Sequence, residues 1–215
     1  MSGTSPEPAI LVFAKAPVPG TAKTRLIPLL GADGAAALQG RLLRHALKTA
    51  RAAAPARLEL WCAPDARHPA LAAAAKTCGA TLHVQQGGDL GARMAHAFAE
   101  ALQRAPFALC IGSDCPALTV HHLHQAAAAL RAGNEAVFAP AEDGGYALIG
   151  LSRHEPALFA DIGWGGAQVM QQTRERLRDC TVRWQELDTL LDVDRPEDWQ
   201  RLQQSGLLDE TPPAG

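Results

Sequence analysis

Apolar, strand-like runs alternate with alanine- and leucine-rich helical stretches, and this alternation constrains the fold more than any single motif. "AILVFA" (9–14) precedes a predicted helix over roughly 33–53, where Leu38, Leu42, His45 and Leu47 approximate the helical period. "RLELWC" (57–62) precedes "HPALAAAAKTC", and "TLHVQ" (81–85) precedes a helix starting near Leu90. "FALCIG" (107–112) leads into "VHHLHQAAAALRAG", with Gly133 as a helix stop, and "EAVFAP" (135–140) follows. Parallel neighbours need long crossovers, usually helical, so the pattern predicts a mainly parallel sheet with helices on both faces. Ligands of such sheets bind beyond the carboxyl ends of the strands. Each unusual motif of this chain follows an apolar run.

The regularity breaks after Pro140. "YALIGL" (146–151) has no helix before it and is expected to be a strand of different direction, which makes the sheet mixed. A helix over about 165–179, an extended "TVRWQELD" and a short helix with Pro196 in its first turn complete the pattern. The expected architecture is a three-layer α/β/α sandwich in one domain, 9–205, between tails at 1–8 and 206–215 that read as disordered. At 215 residues with a formal net charge of −2, the chain has a sizeable core and no global pull toward nucleic acid or anionic membrane. Five cysteines form no CxxC pair, which fits reduced thiols and a cytoplasmic location. No apolar run is long enough to span a bilayer. Assembly as a homodimer stays open.

The first strand runs into "FAKAPVPGTAKTRL" (13–26), which gathers Lys15, Lys23 and Arg25 around two prolines and Gly20. Prolines stiffen the loop and Gly20 permits tight geometry, so several cations can converge on phosphate oxygens. The spacing is not that of a Walker P-loop, and a solvated basic loop is the alternative. In "QQGGDLGARMAHAF" (85–98), Gly87 and Gly88 precede Asp89 at a predicted helix N-cap, with Arg93 four residues on. The glycines would let backbone approach a base or ribose, with Arg93 aimed at phosphate. A capped helix carrying a surface Asp–Arg pair is the plainer reading.

"ALCIGSDCPAL" (108–118) runs a buried strand at one acid, Asp114. An acid at a strand end beside a basic loop suits a hard divalent cation, Mg²⁺ or Mn²⁺, bridging protein to diphosphate; a turn cap is the alternative. "LLDVDRPEDW" (190–199) offers a second acid, because Asp192 and Asp194 share one face of an extended segment with Val193 on the other. At about 6 Å two carboxylates repel by roughly 3 kcal/mol at an effective dielectric near 20, which a metal relieves. Asp192 is the candidate metal residue, whereas Asp194 can equally cap the following helix. In "APAEDGGYALIGL" (139–151), Asp143 precedes Gly144, Gly145 and Tyr146, the single tyrosine. A hairpin turn accounts for the spacing. The functional reading sets the glycine backbone against a sugar or acceptor, with Asp143 taking or orienting a hydroxyl proton. Trp164, in "IGWGGAQVM", packs over a ligand or over the core. "VHHLH" lacks the further ligands of a zinc site and reads as a solvated helix start.

Taken in order, "FAKAPVPGTAKTRL", "QGGDLGARM", "IGSDCPALT", "PAEDGGYALIGL" and "DVDRPEDW" closely resemble the bacterial transferases associated with radical-SAM/selenodomain proteins. The likeness covers about residues 10 to 200. That family is described as glycosyltransferase-like, with the GT-A nucleotide-diphospho-sugar transferase fold. More distantly the set is similar to phospholactate and molybdenum-cofactor guanylyltransferases. The resemblance implies a nucleotide site under the first loop, Lys15, Lys23 and Arg25 near phosphates, and Asp114 as the metal-binding acid. Two departures stand out: the DxD motif common in GT-A enzymes is reduced to "SDC", and Trp164-Gly165-Gly166 stands where relatives often read Trp-Ser-Thr.

Two reactions are compatible with these residues. Sugar transfer from a nucleoside-diphosphate sugar to a small acceptor is expected first, with Lys23, Arg25 and the cation stabilising the departing diphosphate. Nucleotidyl transfer from an NTP to a phosphorylated small molecule, releasing pyrophosphate, needs the same cationic cradle. A degenerate nucleotide-binding module is the non-enzymatic alternative.

Overall fold

The computed structural model describes residues 8–208, so most of both expected tails lies outside the described residues. Among the described residues seven strands form one sheet in the order β3-β2-β1-β4-β6-β5-β7. They are β1 (Ala9–Lys15), β2 (Arg57–Ala63), β3 (Thr81–Val84), β4 (Ala108–Gly112), β5 (Ala136–Pro140), β6 (Tyr146–Leu151) and β7 (Trp184–Glu186). β1 pairs in parallel with β2 and β4, β2 with β3, and β5 with β7, whereas β6 runs antiparallel to both β4 and β5. Six strands therefore point one way and β6 the other, as the missing helix before "YALIGL" predicted.

Period-two alternation sorts each strand between two cores. On β1, Ile10, Val12 and Ala14 enter the core under α1 (Ile27–Ala52), α2 (Pro69–Cys78) and α4 (Val120–Arg131). Ala9, Leu11 and Phe13 enter the opposite core, under α3 (Leu90–Ala101) and α5 (Val169–Asp179). The result is the expected three-layer sandwich with a mixed, mostly parallel sheet.

Element boundaries follow local chemistry. Gly31 leaves helical geometry (φ 70°, ψ 168°), so the continuous part of α1 begins just after it, close to the predicted start. Helix α5 starts at Val169 rather than near 165, because Gly165 is left-handed (φ +82°) and the Gly144 carbonyl caps Met170 N–H at 2.8 Å. Asp89 caps α3 as predicted, its Oδ1 accepting from Ala92 N–H at 2.7 Å.

A third, smaller core fastens the end of the chain. Val193, Leu202 and Leu208 pack with Leu26, Leu38 and Leu42, carrying α6 (Pro196–Ser205) against the start of α1. Leu208 is buried there, so the packed body extends past 205. Leu202 is fully enclosed, and Leu202→Ala is expected to cost about 2–4 kcal/mol in urea unfolding.

Candidate functional site

All the parallel strands end on one edge of the sheet, and the motifs meet there. Order reverses between β1, whose successor β2 lies on one side, and β4 on the other, making this the topological switch point. After β1 the loop turns tightly, with Thr21 and Ala22 N–H donating to the Val18 carbonyl and Gly20 at φ +81°. It then drives Lys23 inward in a left-handed conformation (φ 48°, ψ 47°) that non-glycine residues seldom adopt.

The side chain of Lys23 is 2% exposed. Its Nζ donates to the Val193 carbonyl at 2.6 Å and lies 3.0 Å from Asp114 Oδ2 and 3.9 Å from Asp194 Oδ1. The other Asp114 oxygen accepts from Ser113 Oγ at 3.0 Å, and Ser113 Oγ accepts from buried Gln39 Nε2 at 3.0 Å. Arg25, largely exposed, pairs with Asp194 Oδ2. Three distant stretches are thus tied at one ammonium: the first loop, the end of β4 and the segment 190–194. That segment is further held by Val193 N–H donating to the Asp114 carbonyl at 2.9 Å and by the Cys115 thiol donating to the Leu191 carbonyl at 3.2 Å. Burial pushes the Cys115 thiol up to about 12, so it stays a neutral donor.

Asp114, with half of its side chain still exposed, divides two contiguous clefts. The first, about 540 Å³, is lined by the cations Lys15, Lys23, Arg25 and Arg93 together with Phe13 and Gln85. Lys15 is exposed at the end of β1. Gln85 is oriented by its own amide N–H, which donates to the Trp61 carbonyl at 2.9 Å. Gly87 (φ +143°) lies so close to α3 that a Cβ would sit 2.7 Å from Arg93 N, whereas Gly88 faces open space. Arg93 Nε donates to the Gly87 carbonyl at 3.2 Å, so it braces this turn rather than pairing with Asp89.

The second cleft, about 240 Å³, is lined by Asp143, Gly145, Tyr146, Trp164, Gly165, Gly166 and Asp192. Asp143 is exposed at its lip, with Oδ1 accepting from Gly145 N–H at 2.8 Å. Gly144 (φ +92°) packs so tightly that a Cβ would fall 2.0 Å from the Ala167 carbonyl oxygen. The hairpin reading of this motif holds, the turn joining β5 to antiparallel β6, and it sets Asp143 and Gly145 at the second cleft. Tyr146 contributes its ring, but its hydroxyl is buried and burial pushes it well above the usual phenol range. Trp164 sits edge-on to Tyr146 and presses on α3, where a Cβ on Gly91 would lie 2.5 Å from its Nε1. Burial and then the neighbouring Asp143 carboxylate push Asp192 up to about 6.

Among the described residues no group of three or more His, Cys, Asp or Glu side chains is arranged to hold a metal ion. In "VHHLH", His122 serves the helix start, its Nδ1 accepting from Thr119 N–H at 3.0 Å, and His124 Nε2 lies 3.4 Å from the Ala53 carbonyl oxygen. Gln39, Ser113 and Asp194 are parts of the site that the sequence reading missed or left as a cap. The cap role falls instead to Asp198, whose Oδ2 accepts from Asp194 N–H at 3.1 Å and Arg195 N–H at 2.8 Å. An Asp at the third position of a proline-led helix, Asp198 after Pro196, was the available signal.

This sheet order and strand-end cleft define a nucleotide-diphospho-sugar transferase-like α/β fold. The chain belongs to the family described as "uncharacterized protein conserved in bacteria", which matches residues 37–166. A protein of Desulfovibrio desulfuricans G20, provisionally assigned as a nucleotide-diphospho-sugar transferase, is 33% identical with a TM-score of 0.84, over 94% of this chain and 88% of that one. Rv0371C of Mycobacterium tuberculosis H37Rv, in complex with manganese, is 21% identical with a TM-score of 0.57, over 94% and 100% of the two chains. CMP:2-keto-3-deoxy-manno-octonic acid synthetase complexed with CTP is 11% identical with a TM-score of 0.61, over 92% and 98%. The last two share the fold. No curated protein matches the chain.

The raised pKa of Asp192 has a defined consequence for stability. The folded chain holds this proton more tightly than the unfolded chain, whose carboxyl titrates near 3.8. The group's favourable contribution is therefore full below about pH 4 and is lost as pH rises through about 6. In EDTA-containing buffer, Asp192→Asn is expected to gain about 1 kcal/mol more over the parent chain at pH 8 than at pH 5, read from chemical unfolding.

Proposed function

We propose that this protein is a divalent-cation-dependent transferase that moves a sugar from a nucleoside-diphosphate sugar to a hydroxyl of a small acceptor. The observation that carries this reading is the division of one strand-end cleft at Asp114 into a cationic half and a half lined by carboxylates, glycines and an aromatic ring. The 33% identity to the D. desulfuricans protein supports the same class.

In this mechanism the first half takes the nucleotide. Lys15 and Arg25 meet the diphosphate, Arg93 braces the Gly87–Gly88 turn that faces the base or ribose, and Lys23 holds Asp114 beneath the phosphates. Asp114 and Asp192 suit a hard oxygen-liganded cation, Mg²⁺ or Mn²⁺. Asp114 stands at the boundary of the two clefts, Asp192 lines the second, where burial and the neighbouring Asp143 carboxylate disfavour its charge, and such ions take one or two carboxylates with water and phosphate completing the shell. The manganese complex of Rv0371C is consistent with this choice. The ion supplies charge neutralisation at the leaving diphosphate. As the bond between the sugar's anomeric carbon and the diphosphate oxygen breaks, the acceptor oxygen bonds that carbon. Its proton passes to Asp143, whose carboxylate the Gly145 N–H holds at the lip of the second half. Gly145 brings bare backbone to the sugar, Gly144 lets the Ala167 backbone close behind it, and Trp164 covers the sugar. On this reading the chain is one of the transferases that accompany radical-SAM/selenodomain proteins.

Nucleotidyl transfer is the second reading, favoured by four cationic side chains along the first cleft, enough for a triphosphate, and by the fold shared with the CTP-bound synthetase. Incubation with Mn²⁺ and a panel of nucleotide sugars and NTPs separates the two. Nucleoside diphosphate release is the expected result, and pyrophosphate release would transfer the assignment to the second reading. Nucleotide binding with neither product would leave a binding module. With the active donor, Asp143→Asn is expected to lower kcat about 10²–10³-fold while nucleotide still raises the melting temperature. Unchanged turnover would remove Asp143 from the reaction.

A further inference from the structure

Asp114 is the acid best placed to receive a cation, yet both of its carboxylate oxygens already have partners. Ser113 Oγ donates to Oδ1 at 3.0 Å, and Lys23 Nζ stands 3.0 Å from Oδ2. The ammonium is nearly sealed from water, lies 3.9 Å from a second carboxylate, Asp194, and is anchored by the Val193 carbonyl at 2.6 Å. Its backbone is left-handed, so the chain accepts a disfavoured conformation to bring it there. A cation between acids, with a carbonyl oxygen completing its shell, is the environment a hard metal ion seeks.

We infer that Lys23 is a resident counter-ion that keeps a divalent cation off Asp114 until nucleotide phosphates arrive, so that metal binding is obligatorily coupled to nucleotide binding. The inference rests on the transferase reading of this cleft and assigns the order in which its ligands enter. A divalent ion on Asp114 without phosphate would face the Lys23 ammonium across one carboxylate, and like charges at that range repel, with the ammonium itself sealed from screening water. Phosphate oxygens reverse the balance, because their negative charge is shared by the ammonium and the ion together. Arg25 cannot replace Lys23 in this role, since it is largely exposed and engages Asp194 rather than Asp114. Lys23 is thus a positioning residue for Asp114.

Manganese binding to the protein alone tests this directly, with free Mn²⁺ counted by electron paramagnetic resonance as MnCl₂ is titrated into the full chain. The parent chain is expected to bind with a dissociation constant in the millimolar range or weaker. Lys23→Met, which leaves Asp114 and Asp194 without their shared cation, is expected to bind at least tenfold more tightly, and adding Asp114→Asn should abolish that gain. Lys23→Gln serves as the second variant if the Met substitution lowers folded yield. Tight binding by the unliganded parent chain, measurable without any variant, would overturn the inference, as would a Lys23 variant that folds and binds no more tightly. A separate titration of the parent chain with Mn²⁺ plus the donor nucleotide reports on the transferase reading itself. Failure of metal and nucleotide to bind together would remove that reading, whereas the protein-alone titration addresses Lys23.

Discussion

A buried ammonium between carboxylates is costly to build and difficult to dispense with once built. Taking Lys23 out of water costs several kcal/mol, and attraction at 3.0 Å to Asp114 returns roughly 5 kcal/mol at an effective dielectric near 20. The near balance means that this pair does little for net stability and much for geometry. Because Nζ also holds the Val193 carbonyl, the first loop, the end of β4 and the segment before α6 cannot move independently. Val193 completes the arrangement by burying its side chain with Leu26 and Leu202 on the side away from the cleft.

The rest of the site is organised around that fixed point. Gln39 reaches from the middle of α1 to Ser113, so the helix covering one face of the sheet sets the orientation of the acid at the sheet's edge. On the other side, the Gly144 carbonyl starts α5, and the absence of a side chain there lets the 163–168 loop close over the hairpin. Trp164, carried by that loop, rests against Gly91 at the start of α3. The two clefts are therefore walled by elements that already touch one another, with Asp114 at their boundary. A further pair, Arg201 with Glu142 at 2.6 and 3.0 Å, ties α6 to the same hairpin across the surface.

Four of the five motifs were legible because each lies beside an apolar strand whose end faces the site, whereas "DVDRPEDW" follows the short polar β7 and reaches the same edge through the Leu190 bridge to Ala141. Asp89 as a helix cap, the reversed direction of β6 and the proline-led α6 were readable for the same reason: local propensity and pattern decide them. The start of α5 was read too early, since three glycines at 163, 165 and 166 lower helix propensity in a way that a hydrophobic period does not register.

The sequence by itself determined the layered α/β architecture, the strand directions and the residues that gather at the strand ends, because apolar periodicity and turn chemistry act over a few neighbouring residues. Only the tertiary structure decided what those residues do to one another. Lys23 looks like a phosphate ligand along the chain and becomes the partner of Asp114 in space; Asp194 looks like a helix cap and becomes an ion-pair partner of Arg25. Gln39 reads as an ordinary helix residue and becomes part of the acid's support. These pairings join positions 74 to 169 residues apart, and electrostatic partners at such separations are set by which surfaces the fold presses together.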